Sequence, residues 1–182
     1  MVNPKETHPK LLHKEEIDDN CGKGARLELA NRVFFRLYQC ANILHKTGTK
    51  AVEKEGLTTQ QWAVLGALSR PNAKNGISIN ELAQYLLVSR QNLSGVISRM
   101  ERNGHISIAP DGNDRRSRLV KMTEKGLETW ALRARPLIND FYDKALEGFS
   151  INDLAHTLHY LLKLLDNMEN IDNENSKKQQ RK

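Results

Sequence analysis

Residues 89–104 read SRQNLSGVISRMERNG, and residues 105–123 continue HISIAPDGNDRRSRLVKMT. In the first run Leu93, Val96, Ile97 and Met100 fall at i, i+3, i+4 and i+7, the spacing of one buried helical face. At about 100° per residue the opposite face carries Gln91, Ser94, Gly95, Ser98 and Arg102, with Asn92 and Arg99 beside it. That face is small, polar and basic, and the helix's single acid, Glu101, lies off to one side. A merely solvated helix mixes Glu with Lys, so this composition suits close approach to a groove of DNA. After Gly104 the period becomes two: Ile106 and Ile108 alternate with Ser107 and Ala109, and Leu119, Val120 and Lys121 follow less cleanly. Pro110, Asp111 and Gly112 supply turn chemistry between the two runs. The stretch therefore predicts a helix, a strand, a turn bearing Arg115 and Arg116, and a second strand. A two-stranded hairpin is marginal alone, so it should lean on the helices.

Upstream, Ser78 and Glu81 form a capping-box pattern, with Ile79, Leu82, Ala83 and Leu86 on the buried side of the helix it opens. Val88 and Ser89 leave only a tight connection into the next helix, the form of a helix-turn-helix. Thr58 with Gln61 repeats the capping pattern, and Trp62, Leu65 and Leu68 are expected on the buried side of the helix that follows. Pro71 to Gly76 is a loop rich in helix breakers.

Long helices are expected at both ends. From Leu27 to about Lys54, the residues Ala30, Phe34, Leu37, Ala41, Leu44, Gly48 and Ala51 alternate steps of four and three, a heptad seam. Phe35 and Ile43 lie off that seam, so the helix needs two partners, and Gly56 ends it. Thr123 caps a helix with Leu127, Trp130, Ala134, Leu137, Phe141 and Ala145 along one side, in which Pro136 forces a kink or a local adjustment. Gly148 stops it, and from Ser150 a final helix carries Ile151, Leu154, Leu158, Leu161, Leu165 and Met168 on a second seam. Two seamed helices far apart in sequence can pack on each other and across a two-fold axis, so a homodimer is expected.

The organisation read from these signals is mainly α with a small β-hairpin. Residues 1–25 are a flexible arm, 26–56 and 124–169 dimerisation helices, 57–123 a helix-turn-helix DNA-binding lobe that includes the hairpin, and 170–182 a flexible basic tail. The chain of 182 residues has a formal charge of +6 and a pI of about 9.4, which implies an acidic partner. Between Ser89 and Lys125 eight basic residues face four acids, so this segment carries +4 of that charge. Cys21 and Cys40 are the only cysteines, and with no apolar leader the chain is expected to be reduced and cytoplasmic. No run approaches the roughly 18 to 20 apolar residues of a membrane span. There is no glycine-rich phosphate loop, nucleophile motif or paired metal-ligand spacing, so no enzyme activity, catalytic residue or cofactor is expected. His156 and His159 lack a third metal ligand.

The run ELAQYLLVSRQNLSGVISRMERNGHI, with DRRSRLVKMTEKG after it, resembles the MarR family of bacterial winged-helix regulators. The family's wing pattern stands here as Asp114, Arg116, Met122, Thr123, Lys125 and Gly126. The resemblance is residue-level over about 82–126 and covers roughly 27–168 in organisation. It implies that the hairpin is the wing of a winged helix-turn-helix lobe, and a homodimer on double-stranded DNA, with the helix from Ser89 in the major groove and the wing tip in the adjacent minor groove. Gln91, Asn92, Ser94 and Ser98 can hydrogen-bond base edges, while Arg90, Arg99 and Arg102 can reach phosphates or guanine. Arg116 is the candidate for the minor groove, held by Asp114, with Arg115 or Arg118 on phosphate.

Many members of the family it resembles are repressors released by a small aromatic acid bound between the dimerisation helices and the DNA-binding lobe, so the resemblance implies a repressor on a pseudo-palindromic operator. Asn31, Phe34, Tyr38, Asn42, His45 and Trp62 offer the aromatic walls and polar groups for such an effector. Two alternatives stand beside this reading: thiol-based redox sensing through Cys21 or Cys40, and a winged-helix module that binds protein. The basic face and the arginine-tipped turn oppose the latter.

Overall fold

The computed structural model describes residues 19–111 and 118–180, with side chains from Gly22 to Asp111 and from Arg118 to Lys178. Two compact units meet between Thr47 and Gly48. The first is the body of helix α1 (Asp19–Val52), which crosses the boundary. It begins well before the expected Leu27, so residues 19–25, read as part of the arm, are helical. No proline interrupts this run, and extending a formed helix adds one hydrogen bond per residue ordered, whereas starting one is costly. Leu27, Val33, Phe34, Phe35, Tyr38, Ile43 and Leu44 are all exposed in the single chain.

In the second unit, α1 gives way to a 3-10 turn (Glu53–Glu55), closed by Gly56 at φ 68° with its N–H donating to the Glu53 carbonyl. Helix α2 (Thr59–Leu68) starts with both halves of its capping box in place: Gln61 N–H donates to Thr58 Oγ1, and Thr58 N–H to Gln61 Oε1. Its buried side is Gln61, Val64, Leu65, Ala67 and Leu68; Trp62, expected there, is only half-buried. The Ser78–Glu81 box opens α3 (Ile79–Tyr85), and Ser89 caps α4 (Arg90–Arg102).

The wing strands are β2 (Ile106–Pro110) and β3 (Arg118–Met122), paired antiparallel with Ile108 opposite Val120. The sheet has three strands where two were expected. Ile77 and Ser78 form β1, which pairs with β3 in the order β1-β3-β2. Two residues are too few to show a period, so this strand left no alternating pattern to read. Gly76, at φ 92°, admits the approach: a Cβ there would lie 2.7 Å from Lys121 Cγ and 3.2 Å from the Val120 carbonyl. The core joins Leu65 and Leu68 of α2, Leu82 of α3, Leu93, Val96, Ile97 and Met100 of α4, and Ile106 and Val120 of the sheet.

Thr123 caps the next helix as expected, accepting from Gly126 N–H, but that helix is not continuous α. A short α5 (Glu124–Glu128) runs into a π-helical turn (Thr129–Ala134), then α6 (Arg135–Ala145). Arg135 N–H reaches back five residues to the Trp130 carbonyl. Pro136 has no N–H to return to Leu132, and its ring would crowd that carbonyl in an α register; the wider turn absorbs both defects. The buried side is Thr129, Ala134 and Ile138, while Leu127 and Ala145, expected on it, are exposed. Gly148, at φ 83°, ends the segment. Helix α7 (Ile151–Gln180) follows a reciprocal Ser150–Asp153 cap and continues through residues expected in the basic tail. No glycine or proline lies between 151 and 180 to stop it. Leu158, Leu161, Leu162, Met168 and Ile171 are exposed on it. No helix among the described residues is long and apolar enough to cross a membrane.

Candidate nucleic-acid interface

The four apolar residues that define the hidden side of α4 are each at most 5% exposed, so the orientation of its other face follows. Arg90, Gln91, Asn92, Ser94, Gly95, Ser98, Arg99 and Arg102 all face solvent. Ser89 Oγ accepts from Asn92 N–H at 3.2 Å, so this residue's polar group is used as the N-cap. Ser94 Oγ donates to the Arg90 carbonyl at 2.8 Å and keeps its lone pairs for an outside donor. None of the three arginines makes an ion pair among the described residues. Cations held on a rigid helix without an internal counter-charge are available to phosphate or to guanine.

The link between α3 and α4 is tight because Leu87 adopts φ 53°. Leu87 N–H donates to Gln84 O and Val88 N–H to Ala83 O, so the strained residue closes the turn without orphaning its amide. Beside it the Arg70 guanidinium lies 3.3 Å from the centre of the Tyr85 ring while its Nε donates to Ala67 O. This cation–π pair ties α2 to the end of α3. It joins a loop arginine to a helix tyrosine 15 positions away, and no sequence period marks it.

The wing is latched to the end of α4 by the residues of its own sequence signature. Thr123 Oγ1 donates to the Gly104 carbonyl at 2.6 Å, Thr123 N–H to His105 O at 3.1 Å, and Lys125 Nζ to Asn103 O at 2.8 Å. A Cβ on Gly126 would fall 1.9 Å from the His105 carbonyl oxygen, so only glycine fits where α5 crosses the chain leaving α4. Thr123, Lys125 and Gly126 are therefore positioning residues that set the angle between helix and wing. His105, inside this joint, is 5% exposed, and its Nδ1 has no hydrogen-bond partner among the described residues. Burial first, then the cations Lys125 and Arg133, hold its imidazole below the ordinary histidine range. Its burial was not read from sequence; the residue precedes the alternating run by one position. Arg118 is exposed at the start of β3, opposite Pro110. Asp114, Arg115 and Arg116 lie outside the described residues.

Of the candidate effector contacts, Asn31, Phe34, Tyr38, Asn42 and His45 follow steps of three and four and share one exposed face of α1 in the first unit. In the second unit Trp62 packs edge-on to Phe141 and Tyr142, with ring centres 5.9 and 5.7 Å away. Gly48 makes room for it, since a Cβ there would sit 3.0 Å from the indole. Burial pushes the Tyr142 hydroxyl's pKa up, so it stays a donor. Phe141 and Tyr142 were not singled out as site residues in the sequence, because their positions in α6 read as seam and surface. Cys40 is exposed and unpaired by disulfide, while the Cys21 side chain lies outside the description.

A capped recognition helix, a tight turn before it and a latched three-stranded wing after it define a winged helix-turn-helix, the architecture of DNA-binding regulators. Residues 55–117 match the profile of the MarR family. The chain is 61% identical over 162 residues, 89% of its length and 93% of the relative's, to the transcriptional activatory protein BadR of Rhodopseudomonas palustris. It therefore belongs to the MarR family of transcriptional regulators. The homoprotocatechuate degradative operon repressor of Escherichia coli is 26% identical over 110 residues, 60% of this chain and 72% of that one. Among solved structures, the organohalide-sensing regulator RdhR-CbdbA1625 in its 2,4-dichlorophenol-bound form superposes with a TM-score of 0.67 at 21% identity, over 76% of this chain and 80% of the other.

Proposed function

We propose that this regulator is a homodimer reading a pseudo-palindromic operator, with α4 in the major groove and the wing at Arg116 in the adjacent minor groove, under the control of a small aromatic acid. The observation that carries the reading is the exposed amide-and-arginine face of α4, set beside a wing whose base is locked to the same helix. Gln91, Asn92, Ser94 and Ser98 read base edges; Arg90, Arg99, Arg102, Arg115 and Arg118 meet phosphates or guanine. Asp114 orients Arg116. The exposed apolar residues of α1 and α7 support the dimer, since a lone chain would leave them in water.

The aromatic effector is supported by the Trp62, Phe141 and Tyr142 cluster and by the kind of compound named with relatives, homoprotocatechuate and 2,4-dichlorophenol. Asn31, Phe34, Tyr38, Asn42 and His45 complete the proposed contact set. The direction of control follows the relative of 61% identity, which is an activator, in place of the repression expected from sequence.

Anisotropy on a duplex selected from random DNA tests the DNA reading. Affinity should fall steeply with salt, and Arg116→Ala should weaken it at least tenfold without changing Tm. Unchanged affinity for Arg116→Ala would refute the wing assignment. Benzoate- and hydroxybenzoate-type acids should raise Tm and alter DNA affinity, and a broad panel without either effect removes the aromatic effector. A promoter fusion that rises when the gene is deleted would restore repression as the direction.

A further inference from the structure

Gly95 stands in the interior of α4, at the middle of its exposed face, and a Cβ built on it meets nothing within 4 Å. It has no positive φ and no close neighbour, so the folded chain gives no reason for a glycine there. A glycine in a helix interior is less favourable than alanine, which makes the residue a local defect in the best-formed part of the lobe. Its four helical neighbours at i−4, i−3, i+3 and i+4 are Gln91, Asn92, Ser98 and Arg99, all exposed and all able to hydrogen-bond a base edge. The bare Cα is thus the floor of a ring of longer side chains. For Gln91 and Asn92 to reach bases at hydrogen-bond distance, the backbone at the centre of the ring must come closest to the groove.

We propose that Gly95 is a specificity-determining contact in which its Cα packs against the 5-methyl group of a thymine on the floor of the major groove. The inference rests on the DNA-binding reading given above. Thymine follows from chemistry: Gly95 presents neither donor nor acceptor from a side chain, and the thymine methyl is the one apolar group that a base pair shows in that groove. A hydroxyl or amide at position 95 would serve a polar base edge better; an added methyl would occupy the space that the base's own methyl fills.

The test pairs Gly95→Ala with removal of single thymine methyls from a duplex selected from random DNA by the unaltered protein. Gly95→Ala should raise Tm by about 2–4 °C, because helix propensity improves and the space is open. It should bind the thymine duplex at least tenfold more weakly. Replacing one particular thymine in each half-site by deoxyuridine should return most of that affinity to Gly95→Ala, while weakening the unaltered protein several-fold. Equal binding of the thymine duplex by both proteins would overturn the proposal, as would a fall in Tm or the failure of every single deoxyuridine duplex to restore the variant. Failure of the unaltered protein to select any duplex would instead overturn the DNA-binding reading beneath it.

Discussion

The winged lobe and the long helices α1 and α7 are written in the same amphipathic pattern, and they fare differently in the single chain. Every apolar residue on the hidden face of α4 is buried by α2, α3 and the sheet. On α1 and α7, Phe34, Leu44, Leu158 and Leu161 keep about half their surface or more in water, between 45% and 59%. A stripe at helical spacing therefore states that a face will be covered and leaves open by what. In the lobe the covering surface is a few dozen residues away in the same chain. For the terminal helices the proposed cover is a second copy.

Truncating a side chain on each kind of seam breaks the comparison most directly. Met100 is 0% exposed, so Met100→Ala should cost about 2–5 kcal/mol in chemical denaturation. Leu44→Ala with Leu161→Ala should leave the lobe's own unfolding nearly unchanged and weaken self-association in analytical ultracentrifugation. Loss of lobe stability without a change in association would place the two seams in the same class. A smaller effect tests the latch. Thr123→Ala removes an N-cap and a bond to Gly104 O, and should cost about 1 kcal/mol while lowering DNA affinity through the wing's angle.

The smallest expected effect comes from His105. Folding lowers its affinity for a proton, so the unfolded chain binds more protons once the pH falls to about 6.5 and below. Its contribution is complete above that value and is lost as the pH falls toward the depressed folded pKa. The Tm of the natural protein should decline between pH 7 and 5.5 more than that of His105→Gln. Parallel profiles would show that the joint between α4 and the wing does not sense protonation.

Local chemistry made several features legible. The caps at Thr58, Ser78 and Thr123 depend on residues at most three apart, and each forms the bond its pattern implies. The face of α4 was readable because its period is short and its buried residues are uniformly apolar. By contrast, the Trp62 cluster and the Arg70–Tyr85 stack join segments whose separation carries no period. Residues 19–25, with Gly22 and Gly24 among them, and the polar run after Asn170 have the composition of tails, yet a formed helix propagates through both.

By itself, then, the sequence determined which residues form the lobe's helices, where those helices begin and which face of α4 is left exposed, since these rest on hydrogen bonds and periods spanning a turn or two. Only the tertiary structure decided that Ile77 and Ser78 add a third strand, that Pro136 is accommodated by a π turn, and that Thr123, Lys125 and Gly126 lock the wing to α4. These depend on where distant backbone carbonyls and Cβ positions meet in space, and that distance is set by packing.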